Sequence, residues 1–285
     1  MDALYGSRLV SDKQENTKNI YDIDKGVART QDQSQSTSAD RVLVPSSLEI
    51  KSGSVERYVI SKQIAKMREP SLLSVDDLNQ KRIIHPESPD RAIIDKFREL
   101  RTRLLEISKG NNFTLAVTGV TEGCGASFAA VNLAAAFALD SSKTALIIDC
   151  NLREPSLHNI LDLMPDLGVT DFIEDPDMDI ASVIYPTGIK RLRLIPAGSR
   201  RESSGEFFTS FRMRQFLHSL RKRYPDRFII LDTPSIAVSP DARIISELCD
   251  LTLVVVPHGR VTESQIVSAV SSIPSQKCAG VLVNG

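Results

Sequence analysis

Phe113-Thr-Leu-Ala-Val-Thr-Gly-Val-Thr-Glu-Gly-Cys-Gly-Ala-Ser127 decides the fold of this chain. It reads as a buried strand, then a glycine-containing turn, then the start of an apolar helix running on through Ala129-Ala-Val-Asn-Leu-Ala-Ala-Ala-Phe137. Elements in that order make a phosphate-binding loop. The glycines let consecutive backbone N–H groups converge on a polyphosphate at a helix N-terminus, where the helix dipole adds partial positive charge. Gly123, Cys124, Gly125, Ala126, Ser127 and Phe128 are the candidate nucleotide-binding residues, and the Ser127 hydroxyl stands where a Mg²⁺ ligand belongs. The lysine that should precede it, reaching the β- and γ-phosphates, is replaced by Ala126. A hydrogen bond to a charged group contributes roughly 1.5–3 kcal/mol, or about one to two powers of ten in affinity. Phosphoryl transfer should suffer more, because charge stabilisation of the transferring group supplies most of that catalysis. Binding can survive such a loss where chemistry does not. Taken alone, the segment from Gly119 to Ser127 is equally a tight strand-to-helix turn.

Two acidic motifs argue for the functional reading. Ala145-Leu-Ile-Ile-Asp149-Cys-Asn151-Leu-Arg153-Glu-Pro155-Ser-Leu-His158 is a short apolar strand delivering Asp149 and Asn151 at its C-terminal end, where ligands bind in open α/β sheets. Arg227-Phe-Ile-Ile-Leu-Asp232-Thr-Pro234-Ser is a second such strand, ending in a carboxylate placed to hold Mg²⁺ through water. Asp149 and Asp232 are therefore the candidate catalytic residues, and with Ser127 the candidate metal ligands. Asn151 and Arg153 join the nucleotide-binding set.

These residues carry a specific resemblance. The stretch from about Arg82 to Gly285 resembles the cytoplasmic bacterial tyrosine kinases of capsule and exopolysaccharide synthesis, a P-loop family related to the MinD and ParA ATPases. The family's Asp-x-Asp-Leu-Arg-x-Pro-x-x-His motif is matched by Asp149, Leu152, Arg153, Pro155 and His158, with Asn151 in place of the second aspartate. Its Asp-Thr-Pro-Pro motif stands here as Asp232-Thr-Pro-Ser235, followed by Asp241-Ala242. The phrase Tyr224-Pro-Asp-Arg-Phe-Ile-Ile-Leu-Asp232 is similar to the subgroup encoded with exosortase-linked polysaccharide loci.

The resemblance implies ATP and Mg²⁺ as cofactors, a nucleobase contact near Asn284, and a membrane chain-length-determinant (polysaccharide co-polymerase) partner. It implies a cytoplasmic protein held peripherally at the inner membrane through that partner. It also implies a homo-oligomer contact through Asp95, Arg98 and Arg101, which match the family's Glu-x-x-Arg-x-x-Arg pattern except for the first residue. Without the resemblance, those three charges are a solvated helix face. The departures are as specific as the matches: the loop lysine is Ala126, a second lysine found in MinD and ParA relatives is Thr121, and no tyrosine follows Tyr224. The expected reading is a catalytically impaired pseudokinase that binds nucleotide weakly. Its alternatives are an active autokinase in which Arg153 or a neighbouring subunit supplies the cation, and a MinD/ParA-type positioning ATPase.

Composition sets the bounds. The 285 residues suffice for one α/β domain and an appendage, and the formal net charge of −1 argues against binding nucleic acid through bulk charge. Cys124, Cys150, Cys249 and Cys278 are dispersed without metal-ligand spacing, so they read as reduced thiols, with Cys124 and Cys150 as small fillers near the site. The longest strong apolar run, Leu251–Val256, has strand length rather than the ~20 residues of a membrane span, and the N-terminal residues lack a signal peptide's apolar core.

Residues 1–80 form the first expected region, flexible and polar with short helical islands; residues 81–285 form the P-loop domain. The run Ala28–Arg41 is too polar to offset its ordering entropy, and Val55–Met67 reads as an amphipathic helix for a partner or for the domain itself. A helix is expected over Ala92–Leu105. Strands near 144–149, 192–196, 228–232, 251–256 and 279–283 alternate with helices near 157–163, 210–223, 240–248 and 263–273, which predicts a mainly parallel, twisted sheet with helices on both faces. Arg212, Arg214, Arg221, Lys222 and Arg223 then lie on the surface of the helix over 210–223 and read as a solvated face.

Overall fold

The computed structural model describes residues 69–200 and 205–285. The polar run at 28–41 and the helix expected at 55–67 lie outside the described residues. The elements follow in chain order: α1 (Val75–Gln80), α2 (Arg91–Ile107), β1 (Thr114–Gly119), α3 (Ala126–Ala138), β2 (Thr144–Asp149), α4 (Leu157–Ile160) and α5 (Val169–Glu174). A 3₁₀ turn at Ile180–Val183 leads to β3 (Tyr185–Pro186) and β4 (Leu192–Ile195). Then come α6 (Gly205–Thr209), α7 (Phe211–Arg223), β5 (Arg227–Asp232), α8 (Pro240–Leu248), β6 (Leu251–Pro257), α9 (Glu263–Ser271) and β7 (Cys278–Asn284).

The sheet has seven strands in the order β3-β4-β2-β5-β1-β6-β7. All neighbours are parallel except the two-residue β3, which pairs antiparallel with β4. Strands buried on both faces need apolar side chains at every position. The clusters show this residue by residue: Leu115, Val117, Ile147 and Ile230 pack on one side with α2 and α3. Ala116, Leu146, Ile148, Ile229 and Leu231 pack on the other with α5 and α7. A smaller cluster under α9 joins Val254 and Val256 to Ala269 and Ile273.

α3 is buried from Ala129 to Ala138, which explains an alanine-rich helix with no polar face. The carbonyls at a buried helix C-terminus need donors from outside the helix. Two arginines supply them: Arg101 Nη1 donates to the Ala136 carbonyl at 2.8 Å and Arg191 Nε to the Ala138 carbonyl at 2.9 Å. The fully buried Asn132 accepts from the Ile84 N–H at 2.8 Å and donates to the Phe128 carbonyl at 3.1 Å, tying the segment before α2 to the same helix. Phe113, Phe137 and Phe228 pack with ring centroids 4.2–5.8 Å apart beneath its far end.

The folded body reaches N-terminal of the boundary expected at residue 81. Ser74 caps α1 in a reciprocal box with Asp77, Leu78 enters the core, the Leu73 N–H donates to the Gly188 carbonyl at 3.0 Å, and Glu69 forms a buried ion pair with Arg193. The helix expected to 163 stops at Ile160, because Asp162 turns to φ +51° and the Leu163 N–H bonds back to the His158 carbonyl. Among the described residues no helix is long and apolar enough to cross a membrane.

Candidate functional site

The order β2-β5-β1 brings three strand ends together, and the site lies at their C-terminal edge. In register, Asp149 pairs with Asp232 and Val117 with Asp232, so the two carboxylates stand side by side next to the loop leaving β1. Gly123 and Gly125 have φ of +67° and +82°, the left-handed region in which side-chain-bearing residues are strained. A Cβ at Gly125 would lie 2.2 Å from Asn284 Nδ2, so any side chain there would displace the Asn284 amide. Gly119 is needed for a different reason. The Cys124 side chain folds back beneath the loop, and a Cβ at 119 would lie 2.2 Å from its Sγ.

Hydroxyls not singled out from the sequence fix the loop to its neighbour. Thr118 Oγ1 donates to the Pro234 carbonyl at 2.8 Å, Thr233 Oγ1 to the Val117 carbonyl at 3.0 Å, and Ser235 Oγ to the Val120 carbonyl at 3.1 Å. The available signal was a threonine within a fully buried strand, because a buried hydroxyl requires a partner. Asn284, the residue expected near a nucleobase, donates from its side-chain nitrogen to the Cys124 carbonyl at 3.0 Å and so holds the loop from the end of β7.

Asp149 is fully buried and accepts three backbone N–H groups: Asn151 at 3.1 Å on one oxygen, Ser156 and Leu157 at 3.0 Å each on the other. Burial pushes its pKa up to about 6, with those three bonds pulling the other way. Asp232 is equally buried, yet neither of its oxygens has a hydrogen-bond partner. Burial, then the Asp149 charge, raises it well above the usual carboxylate range. The Ser127 hydroxyl lies near enough to oppose that shift but outside hydrogen-bonding geometry, so Asp232 is unpaired.

Two unbalanced carboxylates beside a hydroxyl are a donor set that suits Mg²⁺, which is held by one or two carboxylates and completes its shell with water and phosphate oxygens. The orphaned oxygens of Asp232 are the observation that fits it, and Asp149, Asp232 and Ser127 are the residues that would hold it. Among the described residues no group of three His, Cys, Asp or Glu side chains forms a site of another kind. The first turn of α3 offers its backbone N–H groups with no side-chain cap on them. Ala126 adds no charge. Asn151 uses its side-chain oxygen locally, accepting the Glu154 N–H at 3.2 Å, while Arg153 is exposed in the same loop. Cys124 and Cys150 are buried and their thiols are pushed up by burial, as suits packing residues rather than nucleophiles.

The proposed oligomer residues stand apart from this site on α2. Asp95 and Arg98 form an exposed pair at 3.4 Å, whereas Arg101 turns inward onto α3. The structure thus brings the loop, Asp149, Asn151, Asp232 and Asn284 together, while Asp95 and Arg98 are paired with each other and Arg101 bonds to α3.

No family model matches the chain. It is 28% identical over 208 residues to the tyrosine-protein kinase Wzc of Salmonella typhi, a match that covers 72% of this chain and 28% of that protein's length. It is 26% identical over 210 residues to the tyrosine-protein kinase YwqD of Bacillus subtilis, covering 72% of this chain and 86% of the relative. Among solved structures, the BceF tyrosine kinase domain aligns at 26% identity with a TM-score of 0.61 over 82% of this chain and 89% of that one. The chimerical protein CapA2B2 aligns at 24% identity with a TM-score of 0.65 over 80% of this chain and 98% of that one, a likeness of fold.

Proposed function

We propose that this chain, whose homologues are bacterial tyrosine-protein kinases, is a catalytically impaired regulatory member of an exopolysaccharide or capsule synthesis and export system. The observation that carries the reading is a built phosphate cradle without its cation: left-handed glycines, an uncapped helix N-terminus and two buried carboxylates surround Ala126. In this reading the loop N–H groups bind the phosphates, and Asp149, Asp232 and Ser127 would hold Mg²⁺, which would supply positive charge against the phosphate oxygens. Between Gly119 and Ser127 the loop carries no lysine or arginine to follow charge onto a transferring phosphoryl group. Asp149 is held by three N–H groups and Asp232 by none, so Asp232 is the group with free capacity for a metal's water shell.

Titration of the purified chain with Mg²⁺-ATP, followed for binding and for phosphate release, tests this reading. Weak binding with no measurable turnover or autophosphorylation is the expected result; robust turnover by the isolated chain overturns it. A second reading, an active autokinase with a substitute cation, is favoured by one observation: Arg153 is exposed two residues past Asn151 and enters no ion pair among the described residues. Turnover that Arg153→Ala abolishes would establish it.

We place the chain at the cytoplasmic face of the inner membrane, held by a chain-length-determinant partner, and assign its self-association to the exposed side of α2. Charge reversal at Arg98 should shift an oligomer toward monomer in sizing experiments while leaving the melting temperature unchanged, because exposed pairs contribute only about 0–1 kcal/mol. Arg101 is not a suitable partner in that test, since it holds α3. An unchanged oligomer after Arg98→Glu excludes this face.

A further inference from the structure

We propose that the outer edge of β7 is a docking surface for a second copy of this chain, the two β7 strands pairing antiparallel about a two-fold axis at Leu282.

β7 closes the sheet at one end, and among the described residues it pairs with β6 alone. An edge strand in that state presents a row of unpaired N–H and C=O groups. The ladder decides which residues carry them. The Asn284 carbonyl accepts from the His258 N–H at 2.7 Å, so the backbone groups of Asn284 face β6. Alternation along a regular strand then turns the N–H and C=O groups of Val281 and Val283 outward. The shift in the β6–β7 register falls where Gly280, with φ +132°, pairs with Leu253, so the regular open run starts just after it.

The same two residues carry the exposed apolar side chains. Val281 is 43% and Val283 60% exposed, whereas Leu282 between them packs on the cluster shared with α2 and α3. Natural sheets guard such edges with charges or proline. Cys278–Asn284 contains neither. On the α2 side of the strand a groove of about 430 Å³, lined by Ile93, Phe97, Leu100, Leu282 and Val283 among others, widens the apolar surface.

The register selects a second copy as the occupant. With Leu282 opposite its copy, Val281 stands opposite the partner's Val283 and Val283 opposite the partner's Val281. Both pairs can exchange N–H···O bonds through their outward backbone groups, and both join β-branched side chains on one face of the sheet. A slip of one residue sets Val281 against Leu282, whose backbone groups are turned to β6. A slip of two sets Val281 against itself and Val283 against Ala279 beyond the irregularity at Gly280, or else Val281 against Gly285. A patch that matches itself in this way closes as a two-fold dimer and leaves no edge for further addition. The contact lies one residue from Asn284, whose side chain holds the glycine loop.

Sedimentation of the full chain over a range of concentrations, together with cysteine pairs that read the register, tests the proposal. The parent is expected to dimerise reversibly. Val283→Lys, at an exposed side chain, should weaken dimerisation about tenfold or more with an unchanged circular dichroism spectrum, since it enters both valine pairs. Mild oxidation of Val281→Cys mixed with Val283→Cys should give a disulfide-linked dimer, because directly opposed residues lie about 4.5–5.5 Å apart, within disulfide reach. In either variant alone the new cysteines sit on the diagonal, about 7–8 Å apart, and should not link. The parent, with its half-buried Cys278, is the control. A parent that stays monomeric, whether its edge is free or covered by another segment of the same chain, overturns the proposal. Indifference to Val283→Lys, or a cross-link equally strong in the single variants, also overturns it. Arg98→Glu keeps this contact apart from the α2 face assigned above: a mixed cross-link that survives the reversal upholds β7, and an oligomer lost to the reversal with no mixed cross-link removes β7 and leaves the α2 face.

Discussion

Ala126→Lys is expected to strengthen Mg²⁺-ATP binding by about tenfold or more. Position 126 is the first residue of α3, partly exposed, and follows a glycine whose left-handed conformation does not depend on what comes next. A lysine placed there extends from the helix N-terminus toward the space that the loop N–H groups face, and one charge-assisted hydrogen bond contributes roughly 1.5–3 kcal/mol. That range corresponds to about one to two powers of ten in dissociation constant. Ala126→Met, with a stem of similar bulk and no charge, separates electrostatic gain from added contact. Calorimetric titration of the three proteins decides the matter. If lysine brings no gain over methionine, the cradle is closed to phosphate and the chain acts as a scaffold.

Asp232→Asn should stabilise the metal-free protein at neutral pH, an unusual outcome for a residue at the centre of a site. Unfolded, Asp149 and Asp232 ionise near pH 3.9. Folded, burial holds protons on both to higher pH, Asp149 to about 6 and Asp232 beyond the usual carboxylate range. Between the unfolded and folded values the native state binds more protons, so stability is greatest at the acid end of that window and falls as pH rises through 6 and above. Asparagine removes the unpaired charge at nearly the same shape. The expected gain at pH 8 is about 1–3 kcal/mol, or roughly 2–10 °C in melting temperature for a domain of this size. At pH 4 to 5 the gain should shrink toward zero. A variant less stable than the parent at pH 8 would show that Asp232 is already balanced by a cation.

Much of this architecture was legible in the sequence because parallel strands buried on both faces leave unbroken apolar runs. Ala145–Asp149, Phe228–Asp232 and Leu251–Val256 announced themselves that way, and each observed strand begins and ends within about one residue of the expected one. α5, α6, β3 and the 3₁₀ turn were not expected. They are four to six residues or shorter, held by tertiary bonds such as Val169 N–H to Pro196 rather than by periodicity. The site was legible as to which residues meet, since glycines and strand-end aspartates carry their geometry with them. It was not legible as to what each partner does. Arg101 looked like a surface charge because a helix pattern cannot show that its guanidinium reaches a carbonyl 35 positions away. The bond from the Asn284 side chain to the Cys124 carbonyl was not legible either, because a partner that is a backbone atom leaves no trace in side-chain identity.

The bond from Asn284 to Cys124 spans 160 positions of chain, and its consequence lies in the order of folding. The pairings of β1 with β5 and of β2 with β5 can form before β7 is in place, but the glycine loop gains this restraint only once the last strand has docked. The phosphate cradle is therefore complete only when the last strand of the sheet is in place. Without β7 in place the loop would lack this latch, so the geometry of the glycine loop depends on the far end of the domain as well as on the strand that leads into it.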